Sequence, residues 1–173
     1  MPISAPLDLA IHDESTLGEA ACLLHDAVFS PSSWSHDEGN RCFHLRLWRL
    51  VPGEYKREKV FLCIHRVSFK RAACDLTIRR VTRASLHVRD RLDHYSLFGI
   101  RYIRDRDLLV FDTEGAVNLE ISIERLDCRL SDTGETTWRQ FGYSFLGIGI
   151  GGHKPLKGIP GTRTDIDILG KIQ

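Results

Sequence analysis

The chain has 173 residues, of which 42% are hydrophobic and 27% charged. That is the length of about one domain and an ordinary globular composition, so neither disorder nor membrane residence is indicated. Its longest apolar runs, such as Val60 to Ile64, fall far short of the roughly 20 residues a spanning helix needs, and no membrane partner is expected. The formal net charge of +1 hides a segregated chain: residues 1–40 hold seven acids and no Lys or Arg, residues 41–106 balance at +11, and residues 107–173 at −3. The start has no basic residue ahead of an unbroken apolar stretch, so neither a signal peptide nor a transit sequence is expected.

Thr16 and Glu19 are spaced as a capping box, and Leu17, Ala20, Ala21, Leu24 and Val28 recur every three or four residues, which predicts one helix over about residues 16–29. Gly18 weakens its first turn, and residues 26–35 also read as extended. The period then changes to two. Phe43, Leu45 and Leu47 alternate with His44 and Arg46, predicting a strand over residues 42–50. The Asp37-Glu38-Gly39-Asn40 tetrapeptide has turn chemistry, and a hairpin closed there would pair Trp34 with Phe43, while Pro31 sets the earlier strand at an edge.

Further strands are expected over residues 59–69, 74–81, 85–88, 96–103, 108–112 and 116–130. Residues 60–64 and 108–111 are apolar on both faces, which predicts interior strands or a covering layer. In the last strand Val117, Leu119, Ile121 and Ile123 occupy odd positions, whereas Leu126, Cys128 and Leu130 occupy even ones. A phase flip at Glu124-Arg125 marks a bulge or a bend between sheets, and a similar flip falls between Ile64 and Val67. The fold class that follows is mainly β, bordering on α+β: an antiparallel curved sheet, a sandwich or a partly open barrel, with one N-terminal helix. Residues 1–141 form a single domain in this reading. Residues 142–173, which hold eight of the fourteen glycines, form an arm ending in the strand-like alternation of residues 165–169.

Three His-Asp dipeptides, His12-Asp13, His25-Asp26 and His36-Asp37, invite a metal reading, with His25, Asp26, His36 and His44 as ligands. Their spacing matches neither H-x-x-x-H on a helix nor H-x-H on a strand, so local capping by Asp13 and Asp26 is the favoured role. No cofactor is expected. The basic middle offers a candidate ligand-binding patch of Arg79, Arg80, Arg83, Arg101 and Arg104. Nucleic acid is disfavoured as its partner because Phe61, Phe69, Phe98 and Tyr102 lie in apolar runs and are not interleaved for base stacking. Gly147 to Gly152 match G-x-G-x-x-G, but no helix follows, and Gly142-Tyr143-Ser144-Phe145-Leu146 misses the G-x-S-x-G elbow at its last glycine. Cys63 and His65 share a strand face, yet an apolar setting opposes a reactive thiol there. The five cysteines form an odd count without a C-x-x-C pair, as expected of reduced thiols in a cytoplasm.

Leu24-His25-Asp26-Ala27-Val28, and the Leu119-to-Gly134 stretch with Leu126, Asp127, Leu130 and Asp132 at their spacing, resemble a family of small bacterial proteins known only as a domain of unknown function. The apolar strands at residues 97–102 and 108–111 are similar as well. The resemblance spans about residues 16–138, departs at the Gly115-Ala116 turn and at Asp127, and implies a fold without implying an activity.

The expectation for function is a non-catalytic binding or assembly module. It would be a homo-oligomer through an edge strand or the C-terminal arm, with a protein or a small acidic ligand as a further partner. A metal-dependent hydrolase or ligand-binding barrel built on the His-Asp pairs is the enzyme alternative, and a nucleic-acid module on the basic middle is the third.

Overall fold

A computed structural model describes residues 6–30, 32–88, 92–114, 117–145 and 148–150. Strands β1 (Asp8–Ile11), β2 (Ala27–Phe29), β3 (Trp34–Asp37), β4 (Cys42–Phe61), β5 (Ile64–Arg79), β6 (Val81–Val88), β7 (Tyr95–Ile103), β8 (Leu108–Thr113), β9 (Val117–Ile123), β10 (Cys128–Phe145) and β11 (Ile148–Ile150) accompany one helix, α1 (Glu14–Leu23). A 3₁₀ turn, Arg104–Arg106, joins β7 to β8. The protein is mainly β, and its sheet is antiparallel and not closed into a barrel. Strand order is β1-β10-β5-β4-β2-β7-β8-β9-β6, with β3 added to β4 and β11 to β10.

The chain divides into two compact units, Met1–Leu50 with Ala72–Thr136 and Val51–Arg71 with Thr137–Gln173, so β4, β5 and β10 each run from one unit into the other. In the first unit α1 packs against both β1 and β7, which stand five places apart in the strand order. A flat sheet holds such strands more than 20 Å apart at about 4.8 Å per place, so this sheet curls around its helix. The enclosed core includes Ile11, Leu24, Phe43, Leu45, Leu47, Ile78, Leu97, Phe111, Ile121 and Leu130, all fully buried. Every described member of that core belongs to the first unit. In the second unit Val67 is the one buried side chain among those described.

Helix α1 begins at Glu14 and ends at Leu23, shorter at its end than the predicted 16–29. Asp13 is the N-cap: its Oδ1 accepts the Thr16 amide at 2.8 Å, and the Thr16 hydroxyl oxygen in turn accepts the Asp13 amide. Thr16 is therefore the inner partner of the capping box, and Glu19 takes no part in it. The far end stops because Asp26 takes a left-handed conformation (φ 62) and gives its amide to Leu97, which starts β2 on β7. Val28 then faces β4 opposite Trp48, so its helical spacing was coincidental.

The Asp37–Asn40 turn is held by the Asn40 amide and side chain, which donate to the Asp37 carboxylate at 3.0 and 2.7 Å. Trp34 and Phe43 stack at 5.6 Å and 18°, but they do so diagonally, since Trp34 lies opposite Leu45 and His36 opposite Phe43. The flip at Glu124-Arg125 separates two strands that are not neighbours: β9 lies between β8 and β6, and β10 between β1 and β5. Strand β8 is interior, flanked by β7 and β9, with Leu109 and Phe111 buried.

The expected strand over residues 59–69 is instead two strands joined at Leu62-Cys63. Residues 60–62 are thus neither interior nor covered, with Val60, Phe61 and Leu62 55%, 64% and 70% exposed at a hairpin tip, while Cys63 and Ile64 are half-buried. Leu62 makes the turn with φ 41 and without glycine, proline or asparagine, which hid it from a search for turn residues. Of the expected arm, residues 142–145 belong to β10 and residues 148–150 to β11, while residues 146–147 and 151–173, including the 165–169 alternation, lie outside the described residues.

Candidate functional site

The arginine-rich segment converges with acids that lie late in the chain. Strand β5 ends at Arg79, Arg80 turns through a left-handed conformation (φ 59), and its carbonyl accepts the Glu124 amide at 3.0 Å. The Arg79 amide donates to the Asp127 carbonyl and the Val81 amide to the Arg41 carbonyl, each at 2.9 Å. These backbone bonds gather four side chains around two carboxylates. Glu124 receives Arg41 at 2.6 Å and Arg80 at 3.9 Å, and Asp127 receives Arg80 at 3.7 Å, with Arg79 and His12 at 3.9 Å.

The remaining patch residues lie apart. Arg101 on β7 clamps Asp112 on β8 through two bonds of 2.6 and 2.8 Å, the fork geometry that suits guanidinium to carboxylate. Those bonds hold the Arg101 guanidinium above its ordinary value, the charge of Asp112 adding to them. Arg104 pairs with Glu14 at the start of α1 at 2.9 Å. Arg83 on β6 is exposed. Four of the five patch arginines are thus neutralised in place, and the surface they make is mixed in sign. Exposed pairs of this kind contribute about 0–1 kcal/mol each.

Between the acidic residues 1–40 and the basic residues 41–106, Glu14 pairs with Arg104. Asp8 instead holds Arg129 at 2.7 Å, while Arg41, Arg46, Arg49, Arg79 and Arg80 turn to Glu124, Asp127, Asp132 and Glu135. The hydrogen bonds from Arg129 hold the Asp8 carboxyl below its usual value, as those from the Thr16 amide and hydroxyl do for Asp13 and those from Asn40 for Asp37.

The candidate metal ligands do not converge. His25 and Asp26 contact one another at 3.2 Å, with Phe98 beside the imidazole. His36 shares a sheet face with Phe43, and His44, one residue on, points to the opposite face and meets the Thr77 hydroxyl at 3.2 Å. Val28 lies opposite Trp48, four residues past His44, so β2 stands roughly 13 Å along the strands from His44, and His25 precedes it across a turn. Among the described residues no group of three or more His, Cys, Asp or Glu side chains is arranged to hold a metal ion. Cys63 sits in the β4–β5 turn, half-buried, rather than inside an interior strand.

Two features were not anticipated. One is the Arg49–Asp132 pair: Arg49 continues the inward phase of Phe43, Leu45 and Leu47, a signal that could have marked it as buried, but its partner lies 83 residues away. The other is the β4–β5 hairpin of the second unit. Across it Glu58 pairs with Arg66, and Glu54 pairs with Lys70 at 2.9 Å. Tyr55 packs on Phe69 at 6.4 Å, and Lys56 lies 4.0 Å above the Trp138 ring. Over the full sequence the second unit holds eleven Lys or Arg against four Asp or Glu, a balance of +7. The first unit holds thirteen against nineteen, a balance of −6. Charge is therefore divided between the two units as well as along the chain.

These features define a mainly β protein with charged surfaces and an exposed apolar hairpin tip. No protein family, no curated protein and no solved structure matches the chain.

Proposed function

We propose that this chain is a non-catalytic binding or assembly module that works in a reducing cytoplasm and associates with further copies of itself. The observation that carries the reading is the opposition in charge between its two units, −6 against +7. Opposite fields on two parts of one chain steer copies together and fix their register. Among the described residues, strands β1 and β6 end the sheet path and offer edges for the same purpose. Five free thiols support a reducing compartment. Membership of the family that the chain resembles over residues 16–138 belongs to this proposal and supplies no activity.

Light scattering coupled to size exclusion tests it. A mass above one chain at low salt that falls toward one chain at high salt is expected, because screening shortens the reach of both fields. A strict monomer at every ionic strength, unchanged when residues 142–173 are deleted, would remove self-assembly from the reading.

A further inference from the structure

The β4–β5 hairpin ends in three consecutive exposed apolar side chains, Val60, Phe61 and Leu62. Neither burial nor turn geometry accounts for them. Leu62 is 70% exposed, and at φ 41 it occupies a conformation that glycine or asparagine adopts at lower cost. Behind this tip the two strands carry Lys56, Arg57, Lys59, Arg66, Lys70 and Arg71 against Glu54 and Glu58 alone, a balance of +4 over residues 51–71. An apolar point with a cationic collar behind it matches the layers of an anionic bilayer surface in order: acyl chains, then charged headgroups.

We propose that the β4–β5 hairpin docks on an anionic lipid bilayer, with Phe61, Leu62 and Val60 entering the acyl boundary and the basic strands meeting lipid phosphates. The expectation of no membrane partner concerned spanning segments, and among the described residues no helix is long and apolar enough to cross. A hairpin tip needs no span to lie at the interface. The inference rests on the chain being a binding module and names one partner for it. Its failure is separable from failure of that reading, because vesicle binding and salt-dependent self-association are measured independently.

Full-length protein is sedimented with vesicles of phosphatidylcholine alone and of phosphatidylcholine mixed with phosphatidylserine. Binding to the mixed vesicles only, weakening as salt rises, is expected, and F61D and L62D should each lower it by about tenfold or more. Both positions are exposed, so their thermal transitions should match the parent. Should either variant fold poorly, L62W provides a second measurement: its added emission should shift to the blue on mixed vesicles and be quenched by brominated acyl chains. Equal binding to both vesicle types, absence of binding, or full binding by F61D and L62D would overturn the proposal. Loss of self-association in those variants without vesicle binding would do so as well, by assigning the tip to a second copy.

Discussion

Arg49 on β4 grips Asp132 on β10 through two hydrogen bonds, Nε to Oδ1 at 2.9 Å and Nη2 to Oδ2 at 2.6 Å, although β5 lies between the two strands. The reach is possible because β5 carries the small residues Ala72, Ala73 and Cys74 in this stretch, all buried. Arg49 is 7% exposed and is the one charged residue among those described that is buried. Asp132 also accepts the Leu7 amide at 3.0 Å and returns its own amide to the Leu7 carbonyl at 2.8 Å. One pair thus fastens three strands and the approach to β1.

Removing one partner should be far worse than removing both. A lone buried guanidinium or carboxylate keeps its desolvation cost without its counter-charge, and breaking a buried pair this way costs about 3–5 kcal/mol. R49M and D132L should each lose about that much in urea unfolding, whereas the R49M/D132L double variant should recover most of it. Additive losses in the double variant would show that the two side chains do not act as a pair.

The same pair sets an acid limit. Burial alone would raise the Asp132 carboxyl, but the Arg49 hydrogen bonds, the Leu7 amide and the Arg49 charge outweigh it and hold the group below 3.8. A depressed folded value means that unfolding takes up a proton below 3.8, so the contribution is full above that value and is lost as pH falls through the folded one. Urea midpoints of the parent should drop on the acid side of pH 4, and those of D132N should drop less steeply. Parallel curves would place the acid limit in other carboxylates.

How far the sequence carried these features depends on whether their cause was local. Alternation at Phe43, Leu45 and Leu47 marked the inward face of β4 because each of those side chains must be buried, and all three are at 0%. The Asp37–Asn40 turn was legible from side chains that bond their own backbone. What escaped was set by tertiary partners. Val28 has helical spacing from Leu24, yet Asp26 gives its amide to Leu97 and the chain becomes β2. The apolar run at residues 60–64 has the composition of an interior strand, but the turn at Leu62 places it at a tip, and composition carries no record of a left-handed leucine. The arginine patch was found as a run, while the neutralisation of Arg79 and Arg80 by Glu124 and Asp127 follows from a crossover that joins segments far apart in the chain.

The helix should depend on its cap. Asp13 satisfies the Thr16 amide at 2.8 Å and sits beside the positive end of the α1 dipole. D13A should cost about 1 kcal/mol in chemical denaturation, and D13N should retain most of that, since its amide oxygen still accepts. If D13A and D13N lost the same amount, charge rather than the hydrogen bond would be the main contribution.

Thiol reactivity should divide the cysteines. Burial pushes the Cys74 and Cys128 thiols up to about 12, which leaves almost no thiolate at pH 8. Cys22 is exposed on α1. Iodoacetamide followed by peptide mass spectrometry should therefore label Cys22 in the folded protein and leave Cys74 and Cys128 unmodified until denaturant is added. Early labelling of Cys74 would mean that β5 opens locally under native conditions.

Leu62 should be a position where folding alone prefers another residue. A left-handed backbone costs an ordinary side chain about 1 kcal/mol that asparagine largely avoids, and at 70% exposure leucine recovers little of that by burial. L62N should therefore unfold at equal or higher urea concentration than the parent, by up to about 1 kcal/mol. Glycine should gain less, because its freer unfolded chain offsets part of the relief. A clear destabilisation by L62N would show that the leucine makes native contacts at the tip. A gain in stability accompanied by weaker vesicle binding would show that the apolar side chain is kept for its partner at the expense of the fold.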